Sequence, residues 1–372
     1  MTTAVSSPLT DAAVQTEEVV FAQQGQIGII TMNRPQALNA LTLGMVRKMN
    51  AQLDAWASDD SVQAVVIRGE GTRAFCAGGD VKAVALATRA ADPGAATMAR
   101  DFFYDEYTLN HRIFTYPKPY ISLIEGIVMG GGVGVSAHGA FRVVAENTTL
   151  AMPETVIGFF PDVGGGYFLP RCPGQVGTYL ALTGHRVGPT DAIYCGFATH
   201  YVPAEKHAEL LQALVDADLG DAADARAATG EVIARFAQEA IGDCTLAPVR
   251  ETIDRCFGHD RMEDIVAALA QEDGEFAAKT LQTLYAVSPT SLKVTLRQLR
   301  EGATLHFAKV MTMEYRLSQA LVKYPDFYEG IRAALIDKDK QPKWHPARIE
   351  DVTDAQVEAF FAPRPGDELV LS

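Results

Sequence analysis

Two glycine-rich turns and three acidic side chains carry the chemical signal of this chain. The turns are Ala77-Gly78-Gly79-Asp80 and Met129-Gly130-Gly131-Gly132-Val133-Gly134. Each follows a strand-like run and leads into a helix-like run. Glycine lets a backbone approach a ligand closely because no Cβ intervenes. If Gly131 or Gly132 opens a helix, its free N–H groups and dipole favour negative charge, and Gly79 offers a second donor. Acyl transfer needs such a pair, because charge builds on the carbonyl oxygen in the transition state, and losing one donor costs about 3–4 kcal/mol of barrier. The plainer reading is that these glycines only relieve crowding between helix and sheet.

The acids are Glu106, Glu154 and Asp162. On a helix, Glu106 shares a face with Ala99, Phe102, Phe103, Leu109 and Ile113, so it is either buried for a purpose or paired with a basic partner. Glu154 follows Met152-Pro153 and precedes the apolar run Val156–Phe160, where a salt bridge or a cap is the ordinary role. Asp162 stands before Gly164-Gly165-Gly166 and is a natural N-cap for the next helix. Carboxyls kept among apolar groups take on raised pKa values and serve as acids or bases near neutrality.

Competing motifs are weaker. Gly132-Val133-Gly134-Val135-Ser136-Ala137 fits G-x-G-x-x-A after a strand, with Glu154 about twenty residues on, the outline of a dinucleotide site. It lies deep in the chain, and Pro153 directly precedes the acid. His138 and Cys76 read as packed groups. Lys338, Lys340 and Lys343 beside Trp344 suit either phosphates or a solvated surface. There is no G-x-S-x-G and no H-E-x-x-H, and no metal or cofactor is implied.

The elements that must position these groups alternate between strand and helix. Val19–Ala22 and Ile27–Met32 read as a hairpin turning near Gly25. Thr42 caps a helix with the stripe Val46, Met49, Leu53 and Trp56. Ala64–Ile67 is a buried strand. Helices are predicted at Val81–Ala90 and, after the break Asp92-Pro93-Gly94, at Ala95–Ile113. Tyr120–Ile124 is a strand, followed by the second glycine turn and a helix toward Ala140. Two short strands, Phe141–Ala145 and Thr149–Ala151, precede a helix Val176–Leu182 closed by Gly184. Beyond about Pro203, alanine, acids and helical periodicity take over. The expected organisation is a loose tail over 1–16, an α/β core over 17–205 and a helical region over 206–372.

The chain has 372 residues and a net charge of −14, which argues against nucleic acid and anionic membrane as partners. No run of 18 apolar residues suggests a membrane span. Five scattered cysteines without C-x-x-C fit reduced thiols and no zinc site. No Lys or Arg precedes Arg34, so neither a signal peptide nor an Arg-rich transit segment is expected, and the predicted location is cytoplasmic.

The run Phe75–Lys82 and the run Met129–Gly134 resemble the two oxyanion-hole segments of the crotonase (enoyl-CoA hydratase/isomerase) superfamily, and Asn33-Arg34-Pro35 with Asn39-Ala40-Leu41 is similar to its early signature. Within it, Met129–Ser136, Ala151–Thr155, Phe160–Arg171, Ser288–Ser291 and the stretch from Asp326 to Trp344 resemble the 3-hydroxyisobutyryl-CoA hydrolases, a likeness running from about Glu17 to Pro346. The resemblance implies a spiral of repeated β-β-α units with a helical C-terminal portion, binding an acyl-CoA. Gly79 and Gly131 would supply the oxyanion N–H groups, and Glu106, Glu154 and Asp162 would line the acyl pocket. Arg34 and Lys82 would meet the CoA phosphates. A trimer or hexamer is implied by some relatives. Hydratases of the superfamily carry a glutamate shortly after the glycine cluster. Gly134 stands there instead, so thioester hydrolysis, with Glu154 and Asp162 acting on a short 3-hydroxyacyl group in valine degradation, is the expected reaction. A hydratase or isomerase, and a non-catalytic acyl-CoA binder, are the alternatives.

Overall fold

The strand-forming runs of the first half build two sheets, a large mixed one and a small parallel one. In the computed structural model, which describes residues 17–89, 93–220 and 224–371, β1 (Val19–Gln24) and β2 (Ile27–Met32) form an antiparallel hairpin. The tail predicted over 1–16 lies outside the described residues. Parallel strands then extend the large sheet in the order β1-β2-β3-β5-β7-β9, with β3 at Ala64–Gly69, β5 at Tyr120–Ile124, β7 at Phe141–Val144 and β9 at His200–Tyr201. A smaller parallel sheet is built from β4 (Ala74–Cys76), β6 (Ile127–Met129) and β8 (Thr149–Ala151). A strand of the large sheet is followed at once by one of the small sheet, three times in succession, so the chain winds as a spiral.

This winding positions the chemistry. The ends of β4, β6 and β8 lie side by side, with Met129 opposite Ala151 and Cys76 opposite Val128. The first glycine turn leaves β4, the second leaves β6, and Glu154 follows β8. Segments far apart in the chain, from Ala77 to Glu154, therefore leave one sheet at one edge.

Burial on both faces explains the continuous apolar strands. Ile30, Met32, Val65 and Ile67 face the main core, which includes Met49, Leu53 and Trp56 of α1 (Leu43–Ala57). Ile27, Ile29, Ala64, Val66, Ile121 and Val143 face the other way, against a second core with Leu210, Leu214, Val232 and Ile233 of the helices His207–Asp216 and Ala225–Ala234. The remaining C-terminal helices contribute Leu292, Leu299, Val310, Leu317 and Phe327 to the same core as α1, so the two halves of the chain share one apolar interior.

Helices follow the strands as the periodicity predicts, with one difference. α2 spans Val81–Arg89 and α3 spans Pro93–Phe114. The helix expected to run from the second glycine turn toward Ala140 is a single turn, α4 (Gly131–Gly134). Glycine is a poor helix former, and the Ser136 hydroxyl donates back to Gly132 O at 2.8 Å, a bond that competes with continuation.

The first glycine turn is pinned by the segment before α1. Leu41 N donates to Gly78 O, Asp80 N donates to Leu41 O, and Ala77 N donates to Leu38 O. Asn39, buried and at φ 56°, donates through Nδ2 to Ala74 O at 2.8 Å and accepts from Arg34 N at 2.9 Å. Arg34 in turn holds Ala40 O at 2.6 Å and faces Glu18 and Asp80. These contacts shape the turn. Asn39→Ala strands two buried polar groups and places alanine in the left-handed region, so a loss of about 2–3 kcal/mol of unfolding free energy is expected by chemical denaturation. A change below about 0.5 kcal/mol, the scatter of ordinary surface substitutions, would contradict this account.

Candidate active site

The two glycine turns meet at the floor of one cavity. Gly131 opens α4, where an N–H has no partner within the helix. A Cβ placed on Gly131 would lie 3.1 Å from Gly79 N and 2.5 Å from Glu106 Oε1, so both glycines stand against the same small space. Neither the Gly79 nor the Gly131 N–H donates to an acceptor among the described residues. The cavity measures about 320 Å³ and is lined by Gly79, Gly131, Glu106, Glu154 and Asp162, with Phe102, Phe103, Met129, Ile157 and Phe159 as apolar wall.

Gly132 and Gly134 of the second cluster do ordinary packing. A Cβ at Gly132 would lie 2.2 Å from Cys76 O, and one at Gly134 would lie 2.6 Å from Val163 Cβ. The G-x-G-x-x-A outline thus arises from close contact with β4 and with the Asp162 segment. The crowding explanation holds for Gly132 and Gly134. Position 134 has no room for a glutamate side chain.

The three acids converge, and none has its ordinary partner. Glu106 on α3 is 2% exposed, and its Oε1 finds no hydrogen bond. Glu154 opens a 3₁₀ turn, Glu154–Ile157, and is 6% exposed, with an unpartnered Oε2. Asp162 does not cap a helix: the following short helix, α5 (Gly165–Phe168), has Gly164 at its N-cap, and Asp162 Oδ2 accepts from the Tyr107 hydroxyl at 2.8 Å. Among the described residues no basic side chain pairs with any of the three.

Their electrostatics follow. Burial, then the Asp162 charge, drives the Glu106 and Glu154 carboxyls well above the usual range. Burial pushes Asp162 up to about 7, although the Tyr107 hydrogen bond favours its charged form. Carboxyls this close and this dry cannot all ionise at neutral pH, so protonated and ionised groups coexist around one cavity. That is the equipment for proton transfer in both directions.

Arg34 and Lys82 do not line the cavity. Arg34 is held by Glu18, Asp80 and Ala40 O, and Lys82 is an exposed residue of the first turn of α2. The cation in the lining is Arg186, exposed at the mouth beside Pro153 and Val156, with no ion pair among the described residues. Ala334 and Leu335 of the C-terminal region complete the rim. Lone arginines in a loop carry no periodic signal, so Arg186 is invisible before folding. Tyr107 escapes notice as one more aromatic on α3.

A fourth buried carboxyl stands behind the cavity. Glu314 Oε2 accepts from Gly164 N at 2.7 Å, and its Oε1 accepts from Gly166 N at 2.8 Å and Gln298 Nε2 at 2.9 Å. Burial raises it to about 8, against the pull of those amides. Its spacing with Val310, Leu317 and Leu321 on one helix face was the available signal, the same one that marks Glu106.

Comparison with known proteins agrees with this geometry. The enoyl-CoA hydratase/isomerase family model matches residues 27–361. The chain is 47% identical to the mitochondrial 3-hydroxyisobutyryl-CoA hydrolase of Xenopus tropicalis over 98% of its length and 93% of that protein's. The human protein of that name is 45% identical over 95% and 89% of the two chains. Among solved structures, a carnitinyl-CoA dehydratase from Mycobacterium thermoresistibile superposes with a TM-score of 0.87 at 45% identity, covering 95% of this chain and 99% of the other. An enoyl-CoA hydratase from Rhodobacter sphaeroides 2.4.1 gives 0.85 at 38% identity, covering 95% and 100%.

The relatives overturn the cytoplasmic expectation, since these hydrolases are named mitochondrial. Unpaired cysteines report a reducing environment and do not distinguish one reducing compartment from another. The full-length match, the two facing glycine turns and the buried acids agree: the chain belongs to the enoyl-CoA hydratase/isomerase family.

Proposed function

We propose that this chain hydrolyses a short 3-hydroxyacyl-CoA thioester, 3-hydroxyisobutyryl-CoA in particular, to the free acid and CoA, a step of valine breakdown. The observation that carries the reading is the convergence of the Gly79 and Gly131 N–H groups with Glu154 and Asp162 in one cavity, at a site where position 134 has no space for the second glutamate of a hydratase. Near-full-length likeness to curated hydrolases of this name supports the substrate.

In this reading the thioester oxygen sits between the two N–H groups, which stabilise the charge that develops on it. Glu154 drives the acyl step. Attack by its carboxylate forms a mixed anhydride, expels the thiolate and is completed by water; removal of a proton from water gives the acid directly. Asp162, oriented by Tyr107 and titrating near neutrality, passes a proton to the departing sulfur. Glu106 faces the acyl chain and meets its 3-hydroxyl. Arg186 takes over the phosphate contact expected of Arg34 and Lys82, and Val156 and Leu335, 41% and 38% exposed, flank the pantetheine path.

The two solved neighbours named for dehydration and hydration favour a second reading, addition of water to an enoyl-CoA. Loss of enone absorbance with crotonyl-CoA, and no release of thiol from 3-hydroxyisobutyryl-CoA, would establish it in place of hydrolysis. Single turnover in oxygen-18 water distinguishes the two hydrolytic routes: label enters Glu154 only through the anhydride.

Glu154→Gln removes the base or nucleophile while keeping shape, and a fall in kcat of about 10²–10⁴ is expected in a thiol-release assay. Near-full activity would end both routes. The same variant is expected to gain stability relative to wild type as pH rises. The folded Glu154 carboxyl holds its proton above the unfolded value of 4.5. The folded state therefore binds more protons than the unfolded one above that pH, and wild-type stability falls there as pH climbs. Glutamine does not titrate, so the stability difference should widen from pH 5 to pH 8 in urea titrations; a constant difference would contradict the burial argument.

Arg186→Ala is expected to raise KM by about tenfold with kcat little changed, the pattern of lost uniform binding. An unchanged KM would move the phosphate contact elsewhere.

A further inference from the structure

The segment that carries Asp162 has an improbable backbone. Val163 sits at φ 50° and Gly164 at φ 91°. A β-branched residue in the left-handed region is a genuine outlier, and such strain costs about 1–3 kcal/mol and persists only where the surroundings over-determine it. Val163 is also fully buried, wedged where a Cβ on Gly134 would stand.

The surroundings that hold it come from outside the α/β half. Gln298, on the helix Pro289–Gly302, donates through Nε2 to Pro161 O at 2.8 Å. Glu314, on the helix Phe307–Leu321, receives the Gly164 and Gly166 N–H groups on its two oxygens. Gln298 Nε2 also bonds Glu314 Oε1 at 2.9 Å, joining the two into one unit. Both side chains are fully buried. From the other side, His138 Nε2 lies 2.7 Å from Val163 O and is the donor, since a carbonyl can only accept. Five consecutive backbone positions, 161 to 165, thus lie between fixed partners, with Gly165 N closing on Asp162 O at 2.7 Å.

We infer that Glu314 and Gln298 are positioning residues, which hold the strained Asp162 segment from the helical region and so set the direction in which Asp162 enters the cavity. The inference rests on the reading of Asp162 as the proton donor. Neither residue lines the cavity. A carboxyl group suits position 314 because two backbone N–H groups converge on it, one on each oxygen; an amide can accept only through its single oxygen and would turn an N–H toward one of them. Without this clamp the segment relaxes toward negative φ at Val163, and Asp162 leaves the line between Tyr107 and the leaving sulfur. Small misplacements of this kind are costly in rate while substrate still binds.

The test uses the full chain with Glu314→Ala, Glu314→Gln and Gln298→Ala. In a thiol-release assay with 3-hydroxyisobutyryl-CoA, kcat for Glu314→Ala is expected to fall about a hundredfold. Glu314→Gln, which keeps one acceptor and the volume, is expected to recover about tenfold of that loss. Binding of a non-hydrolysable thioether analogue should stay within about threefold in all three, a split between kcat and affinity that general unfolding does not produce. Hydrogen exchange of the backbone amides over residues 160–168 should quicken by about tenfold or more in each variant, while exchange in β2 and β3 is unchanged. Folded variants with kcat within about threefold of wild type, or affinity lost in step with kcat, overturn the inference. If Glu314→Ala does not fold, Gln298→Ala, which spares the carboxylate, decides in the same way. Failure of both to fold would mean that the contacts serve folding alone and overturns it too. Wild-type turnover in the same assay tests the hydrolase reading by itself. The exchange measurement does not depend on activity, so the two failures are distinguishable.

Discussion

Burying several carboxyl groups together, with no basic side chain among the described residues to neutralise them, is the constraint around which this structure is organised. Water would solvate such groups far better than an apolar cavity does, and the penalty appears as raised pKa values at Glu106, Glu154, Asp162 and Glu314. A protein built only for stability would pair or expose them. Here one is steadied by the Tyr107 hydroxyl and one by two backbone amides, while Glu106 and Glu154 each keep an unpartnered oxygen. An unsatisfied buried oxygen that faces a cavity is open to a hydrogen bond from a ligand.

The two free N–H groups are the counterpart of those acids. A parallel three-stranded sheet delivers both glycine turns and Glu154 to a single edge, and the order β4-β6-β8 makes them neighbours. Glycine is required at 131 because the space a side chain would fill belongs to Glu106 Oε1. The early segment Arg34–Leu41 serves the same end from beneath, holding the first turn through Asn39 and Leu41. At Arg34 and Asn39 the early family-like signature holds this turn in place.

The names borne by relatives divide between hydrolysis and hydration, though the fold is common to all. Fold alone does not choose the reaction. In the proposed reading the choice lies in the side chains that share the cavity with the Gly79 and Gly131 N–H groups: packing of Val163 against Gly134 removes the space a second glutamate needs and leaves the acids after β8 for hydrolysis.

Local order was largely legible in the sequence. Period-two and continuous apolar runs mark β1, β2, β3 and β5, the Thr42 cap and the α1 stripe are plain, and Gly184 ends its helix as expected. These features depend on neighbours within a few residues, where spacing and backbone preference suffice. Glu106 was legible for the same reason, as an acid on an apolar helix face. Tertiary structure alone decided that Glu154 and Asp162 lack a basic partner among the described residues, that Arg34 braces the first turn, that Arg186 stands at the mouth, and that α4 stops after one turn. It also brought Gln298 and Glu314 to Pro161, Gly164 and Gly166 across roughly 150 residues of chain. Such meetings depend on how helices pack over a shared core, and no spacing in the sequence records that. The sequence by itself therefore specified the elements and the kinds of chemical groups they carry, while packing determined which groups face one another and which are left without a partner.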